Sequence, residues 1–128
     1  MARNRISLLI LDDEERIRQL LRDYLEDYDD LQIRAVGSGE SALAELDREP
    51  ADVAVVDMRL PGMNGEQFIN EASRLGLCGH FLLHTGSTGL TISDKLQELG
   101  LTDRDVFFKP ADPARILARI LEVAEQGG

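Results

Sequence analysis

Five short apolar segments alternate along this chain with five segments whose apolar residues recur at helical spacing. The apolar segments are predicted strands, at residues 6–11, 32–36, 53–57, 81–85 and 106–108. Such alternation predicts an α/β fold, in which parallel strands are joined by right-handed crossovers and helices cover both faces of the sheet. The length of 128 residues fits one domain, residues 1–128, whose core needs no disulfide or metal.

The predicted helices carry clear local signals. After the first strand, apolar residues spaced i, i+3, i+4 and i+7 predict one buried face and one wet face. The apolar face consists of Ile17, Leu20, Leu21, Tyr24, Leu25 and Tyr28, whereas Arg16, Arg18, Arg22 and Glu26 lie elsewhere. The capping residues expected at later helix starts are Ser38, Asn64 with Gln67 in capping-box position, and Asp112 with Pro113. A fourth helix is expected to contain Ile92, Leu96 and Leu99.

Four of the predicted strands lead into side chains that can bind a cation or a phosphoryl group. Asp12 and Asp13 follow the first strand, Asp57 ends the third, Thr85 ends the fourth and Lys109 follows the fifth. Because parallel strands point the same way, these residues should share one edge of the sheet, where open α/β folds bind ligands. Any one of them could be an ordinary cap, turn or solvated residue. Together they predict a single site.

The chemistry that fits this site is transfer of a phosphoryl group onto a carboxylate. The migrating group carries negative charge, so the site must supply a hard cation, a fixed positive charge and a hydrogen-bond donor. Three carboxylates would repel one another unless a cation joined them, and we expect Asp12, Asp13 and Asp57 to provide oxygens for Mg²⁺. Lys109 then supplies the charge, Thr85 the hydroxyl donor and Asp57 the attacking oxygen.

Composition restricts the partners. The chain has 24 acidic and 14 basic residues, a formal net charge of −10, which disfavours nucleic acid and anionic membranes and suits a protein partner or a cation. Cys78 is the single cysteine, and no leader or long apolar run indicates export or membrane insertion. A cytoplasmic location is therefore expected.

In these motifs the sequence resembles the receiver domain of two-component response regulators. The similarity extends from residue 6 to about residue 124 and depends on Asp12-Asp13, Asp57-Met58, the Pro61-Gly62-Met63-Asn64-Gly65 turn, Thr85-Gly86 and Lys109-Pro110. It implies a doubly wound, flavodoxin-like sheet of five strands in the order 2-1-3-4-5, as in a stand-alone chemotaxis-type receiver. Since no output domain follows Gly128, the chain is expected to be a single-domain regulator or a piece of a larger protein.

The resemblance also implies a mechanism. A sensor histidine kinase or phosphotransfer protein phosphorylates Asp57, while Asp13, Asp57 and the backbone carbonyl of Arg59 hold Mg²⁺ and Asp12 helps through water. The Lys109–Pro110 bond is cis, which proline tolerates. Slow self-catalysed hydrolysis resets the domain, so that it is a signalling module and not a classical enzyme. The signal leaves through the face made by helix 4, strand 5 and helix 5, to a downstream protein or output domain.

Two features depart from the family pattern. Receivers commonly carry Tyr or Phe three residues before the lysine, where this chain has Val106, and residues 100–105 replace the usual small-residue turn. Val106 is stiff and has no ring, so we expect the loop at residues 86–91 to carry the conformational change instead. Strand alternation predicts that Phe107 faces away from Val106, and Phe108 is expected to lie in the core.

Four further side chains lie near the motif residues in the sequence. The resemblance implies that Arg59 and Ser87, two residues after the acceptor and after the hydroxyl residue, border the path of the hydrolytic water. His80 and His84 are expected to be strand or loop residues and not ligands, since no metal-binding spacing connects them to other His or Cys residues.

Two alternative functions share the fold or the chemistry. A flavodoxin-like flavin binder would need a phosphate-binding loop after the first strand, where the acidic residues 12–15 would repel the phosphate. A Mg²⁺-dependent phosphatase with an aspartyl nucleophile would place that nucleophile on the first strand, with a second Asp two residues later. Here Asp12 and Asp13 are adjacent and residue 14 is Glu.

Overall fold

A computed structural model describes residues 5–86 and 89–127, and within these ranges the chain alternates strands with helices. The elements in order are β1 (Ile6–Leu11), α1 (Glu15–Leu25), β2 (Leu31–Val36), α2 (Gly39–Arg48), β3 (Ala51–Val56), α3 (Gly65–Arg74), β4 (Cys78–Thr85), α4 (Asp94–Glu98), a 3-10 turn (Asp103–Asp105), β5 (Val106–Phe108) and α5 (Pro113–Gly127). In this part of the chain no helix combines the length and the apolar character needed to cross a membrane.

The five strands form one parallel sheet in the order β2-β1-β3-β4-β5, which confirms the predicted fold class. β1 and β3 lie at the centre of the sheet, and Leu8 pairs with Val53 in their register. These two strands are apolar along almost their whole length because helices cover both of their faces.

The core consists of one cluster on each face of the sheet. Strand alternation sends Leu9 and Leu11 of β1 to one cluster, with α2 and α3, and Leu8 and Ile10 to the other, with α1 and α5. In the first cluster the rings of Phe68 and Phe81 meet edge to face, 6.2 Å apart. The helices therefore cover the faces and leave the carboxyl edge of the sheet accessible.

The predicted helix caps are confirmed. The Ser38 side chain accepts a hydrogen bond from the Ser41 amide at the start of α2. Asn64 and Gln67 form the reciprocal capping box at the start of α3, with both bonds at 2.9 Å. The Asp112 carboxylate accepts from the Ala114 amide at 2.9 Å at the start of α5.

The buried face of α1 is narrower than its apolar pattern predicts. Leu21 and Leu25 are fully buried, but Leu20 is 56% exposed and Tyr24 is 42% exposed. These two residues lie one position, about 100° of helix rotation, away from the buried pair. The sheet and α5 cover only the central part of the apolar stripe.

Two expectations, the extent of the fourth helix and the burial of Phe108, were wrong. The helix was expected to contain Ile92 and Leu99, but α4 contains only Asp94–Glu98. The Ser93 side chain caps its start by accepting from the Leu96 amide at 3.2 Å. Phe108 is 42% exposed and not part of the core. It lies at the end of a three-residue edge strand, which has a neighbouring strand on one side only within the described sheet. Phe107 and Val106 do face opposite clusters, as predicted.

Candidate functional site

Backbone hydrogen bonds continue the sheet one residue beyond its strands and so place the site residues. The Asp57 amide donates to the Leu11 carbonyl at 2.8 Å, and the Lys109 amide donates to the Thr85 carbonyl at 2.7 Å. The Asp12 amide donates to the last residue of β2 at 3.2 Å. The predicted residues therefore do meet at one edge of the sheet.

Three carboxylates converge there. One oxygen from each of Asp12, Asp13 and Asp57 lies within 4.8 Å of the others. Asp12 and Asp57 are buried and Asp13 is exposed. An all-oxygen donor set, with one side open to water, is what Mg²⁺ prefers, because this ion keeps part of its hydration shell. The residues present fit the ion that the sequence predicts.

Lys109 is the cation that this cluster already contains. Its Nζ lies 2.8 Å from Asp12 Oδ2 and 3.5 Å from Asp57 Oδ2, and 3.9 Å from the Glu14 carboxylate. Burial by itself would lower the pKa of Lys109, but the contact that its ammonium donates to Asp12 and the charges of Asp12, Asp57 and Glu14 raise it above its ordinary value. Lys109 is therefore a permanent positive charge, as the predicted chemistry requires.

The environment of Asp57 opposes its charge. Burial is the main reason that the pKa of Asp57 is raised, and the nearby Asp12 carboxylate adds to it. The Arg59 amide, which donates to Asp57 Oδ1 at 3.1 Å, and Lys109 act in the other direction. A buried carboxylate with little hydration is a stronger nucleophile than one surrounded by water.

The turn after Asp57 requires glycine at one position. A β-carbon on Gly65 would lie 2.6 Å from the Asp57 carbonyl oxygen and 2.7 Å from Met58 Cα. The start of α3 thus packs directly on the backbone of the acceptor residue. The Pro-Gly-Met-Asn-Gly turn is for this reason part of the site's framework.

Thr85 lies where the sequence predicts, at the end of β4, and is fully buried. It pairs with Phe108 across the sheet. Its role as the hydroxyl donor remains a prediction, as do the Arg59 carbonyl as a metal ligand and the position of Ser87, which lies outside the described residues.

Sequence reasoning missed one side chain that supports the site. The Arg18 guanidinium reaches back from α1 and donates to the Asp12 carbonyl at 2.8 Å. A β-carbon on Gly37 would lie 3.1 Å from the same guanidinium, so glycine leaves room for it. The helical pattern predicts that Arg18 lies outside the apolar face of α1, and nothing in the local sequence signals a contact with the preceding loop.

The two histidines lie in β4, as expected, but in different surroundings. The His80 ring donates to Asp105 Oδ1 at 3.1 Å, at the amino end of the strand. Arg119 donates to the same oxygen at 2.9 Å. His84 is buried at the other end of the strand, beside the site. Nothing in the local sequence signals that Asp105 and Arg119 meet.

The fold and this acidic edge together define a class of signalling domain. A family model for the response regulator receiver domain matches residues 8–121. The chain belongs to the response regulator receiver family, as the motifs of the sequence indicated.

Known relatives agree with that assignment. The chain is 31% identical to the sensory transduction protein RegX3 of Mycolicibacterium smegmatis over 94% of its length, covering 51% of that protein. It is 33% identical to the transcriptional regulatory protein GltR of Pseudomonas aeruginosa, again over 94% of its length and 49% of the relative. The chain thus spans about half the length of the curated relatives it matches.

A solved structure supports the fold. The REC domain of AraT, a response regulator from Geobacillus stearothermophilus, superimposes with a TM-score of 0.79 at 28% identity, covering 94% of both chains. The family to which both belong is one of signalling domains in two-component systems.

Proposed function

We propose that this chain accepts a phosphoryl group on Asp57 from a sensor histidine kinase or a phosphotransfer protein, in a Mg²⁺-dependent reaction. The observation that carries the proposal is the contact of Lys109 with two carboxylates, 2.8 Å from Asp12 and 3.5 Å from Asp57, inside a cluster of three. Only a reaction that brings further negative charge to this edge, together with a cation, uses all of these groups.

The residues have distinct roles in the proposed transfer. A carboxylate oxygen of Asp57 attacks phosphorus in line with the phosphohistidine nitrogen, so that one P–O bond forms while the P–N bond breaks and the imidazole leaves. Lys109 neutralises charge on an equatorial oxygen and Thr85 donates a hydrogen bond to another. Asp13, Asp57 and the Arg59 carbonyl would hold Mg²⁺, with Asp12 acting through water. When bound, this ion neutralises the acceptor and phosphoryl oxygens.

The domain in this proposal catalyses only its own phosphorylation and dephosphorylation. The acyl phosphate is lost when water attacks phosphorus, the P–O bond to Asp57 breaks, and inorganic phosphate and the free carboxylate are released. Neither the flavin binder nor the turnover phosphatase has a specific observation in its favour. Cytoplasmic action, in line with the single cysteine, is part of the proposal.

The output is proposed to pass to a downstream protein or to an output domain through α4, β5 and α5. The relatives named above are regulators about twice as long as this chain, which supports an output function carried by another segment or partner. The exposed Phe108 and the short α4 lie on the same face as Val106.

Phosphorylation by a small donor tests the proposal. Incubated with Mg²⁺ and acetyl phosphate, the protein should gain one phosphoryl group that is stable in acid and removed by hydroxylamine. Asp57→Asn should abolish the mass gain and excess EDTA should prevent it. Asp52→Asn is the matched control, since Asp52 is an exposed carboxylate at the other end of β3. Labelling of Asp57→Asn at the parent level, or labelling undiminished by EDTA, would refute the assignment.

A further inference from the structure

His84 is a buried polar group without a use in the mechanism above. Only 4% of its surface is exposed. Within the described part of the chain, neither Nδ1 nor Nε2 has a hydrogen-bond partner. Buried polar atoms are nearly always paired, because an unpaired one loses its hydration without compensation. The position calls for a hydrogen-bond partner, and none of the described protein groups supplies one.

The register of the sheet places His84 beside the acceptor. Val56 of β3 pairs with Leu83 of β4, so the next pair along these strands brings Asp57 level with His84. Both residues follow apolar residues of the first core cluster, Val56 and Leu83, and alternation therefore turns both toward the opposite face of the sheet.

Lys109 lies on the same face of the sheet as His84, but it follows β5, the neighbour of β4 on the side away from β3. His84 pairs with Phe107, and Lys109 follows Phe107 by two residues. Burial, and then the positive charge of Lys109, lower the pKa of His84 to about 4, whereas Asp12 opposes the shift. His84 is thus neutral near pH 7, with one ring nitrogen that donates and one whose lone pair accepts a hydrogen bond.

We propose that His84 is a positioning residue for Lys109 in the phosphorylated site. The inference rests on the proposed function. In the structure the Lys109 ammonium binds Asp12. In the proposed phosphorylated state Asp12 would help to hold the metal ion and Lys109 would bind the phosphoryl group. One N–H of the Lys109 ammonium then no longer has a carboxylate acceptor. The unprotonated nitrogen of His84 accepts a hydrogen bond from that N–H. Lys109 is held toward the phosphoryl oxygens, and the acyl phosphate lasts longer.

The chain is well suited to a direct measurement. Its two histidines are His80 and His84, and its two lysines are Lys95 and Lys109. Nitrogen NMR of protein labelled at these residues gives two ring systems and two ammonium groups, which His80→Gln and Lys95→Arg assign. Beryllofluoride with Mg²⁺ should shift the unprotonated ring nitrogen of His84 and Nζ of Lys109, while the ring signals of His80 stay in place.

Three variants test the consequence for phosphoryl lifetime. His84→Val removes both nitrogens and should speed loss of the acyl phosphate roughly threefold to tenfold, the effect of one hydrogen bond. His84→Gln retains an acceptor and should recover most of the parent lifetime. Leu82→Val is the control for packing, because Leu82 lies two residues earlier on the same face of β4. It should change the lifetime by less than roughly twofold.

Each outcome decides one question. A parent lifetime in His84→Val, or His84 ring signals unmoved by beryllofluoride, overturns the positioning role while phosphorylation of the parent stands. Equal acceleration in Leu82→Val and His84→Val assigns the effect to packing and also overturns it. If His84→Val fails to fold, the ring signals of the parent decide. A parent chain that takes up neither phosphate nor beryllofluoride overturns the proposed function and this inference together.

Discussion

At the scale of single residues, the site is defined by an imbalance of charge. Lys109 faces the carboxylates of Asp12, Asp57 and Glu14 within 4 Å, with Asp13 close by. Two unit charges 4 Å apart interact by about 4 kcal/mol at the effective dielectric of a protein surface. One lysine cannot balance this cluster, and the excess of negative charge is what a divalent cation neutralises.

Arg59 is the residue expected to set how long the phosphoryl group survives. Its side chain is exposed and its amide already binds Asp57, so the guanidinium can reach over the phosphoryl oxygens. Arg59→Ala should change the dephosphorylation rate several-fold and leave Mg²⁺ affinity nearly intact, because the backbone carbonyl remains. Decay of radioactive phosphate and a Mg²⁺ titration followed by NMR measure the two quantities. Arg16→Ala, an exposed arginine of α1, is the control. An unchanged rate would mean that Arg59 points to solvent.

Asp105 should make stability depend on pH below the neutral range. Burial alone would raise the pKa of Asp105, but hydrogen bonds from His80, the Thr102 amide and Arg119 lower it to about 2. A lowered carboxyl pKa contributes stability that is complete above the unfolded value near 3.8 and is lost as pH falls toward 2. The contribution is about 2 kcal/mol.

Asp105→Asn tests this linkage. The variant should be less stable than the parent at pH 7, and the difference in unfolding free energy should shrink as pH falls below about 4. Urea unfolding across this pH range measures it. Asp103→Asn, an exposed neighbour that loses the same charge, is the control, and its free energy of unfolding should follow that of the parent across the pH range. A difference that is constant with pH would contradict the assignment of Asp105 as the linked group.

At the scale of elements, α4 and the segment before it are the least supported part of the described chain near the site. A helix of five residues is too short to be stable by itself. Leu96 anchors it in the core, and Ser93 holds its start by capping α4 and donating to Glu66 at 3.0 Å. Of the described residues between β4 and α4, Gly86, Gly89 and Thr91 are exposed. Elements of this kind are the ones that rearrange at low cost.

Beryllofluoride should therefore change the loop and α4 first. Amide signals of residues 85–92 and of the first turn of α4 should shift most, and Val106 least, because its stiff side chain cannot fill space vacated by Thr85. Ser87 and Thr88, inside this stretch, lie outside the described residues. Spectra of the free and beryllofluoride-bound protein measure the pattern. A largest change at residues 106–108, with residues 86–91 quiet, would refute the loop-first account.

At the scale of the whole molecule, metal binding and stability should be coupled. The chain carries a formal charge of −10, and three carboxylates of its site repel one another. A cation that binds only the folded state stabilises it by mass action, by about 2.7 kcal/mol at a hundredfold excess over the dissociation constant.

Asp13→Asn separates this effect from general screening. Mg²⁺ should raise the unfolding temperature of the parent above its value in EDTA at equal ionic strength. In Asp13→Asn the rise should be much smaller, although the metal-free variant should be at least as stable as the parent, since one repulsive charge is gone. Asp23→Asn, an exposed position on α1, should respond like the parent. Thermal unfolding followed by circular dichroism gives the unfolding temperature of all three proteins. If Mg²⁺ raised the unfolding temperature of Asp13→Asn as much as that of the parent, Asp13 would not be a metal ligand.

Local patterns in the sequence were enough to determine the order of elements, the caps at Ser38, Asn64 and Asp112, and the sheet edge that carries the site. These features depend on neighbours within a few residues and on the rule that alternating strands and helices form a parallel sheet. The positions of the motif residues could be predicted for the same reason, because the direction of a strand decides at which edge of the sheet its last side chain lies.

Only the tertiary structure decided which distant side chains meet. Arg18 reaches the Asp12 carbonyl, Arg119 reaches Asp105, and His84 lies level with Asp57, in each case through packing between elements that no local spacing encodes. The exposure of Leu20 and Phe108 was decided in the same way, because burial depends on what the neighbouring elements cover. The sequence by itself determined the fold and the strand ends where the candidate site residues lie, whereas the packing determined which partners and supporting side chains surround them.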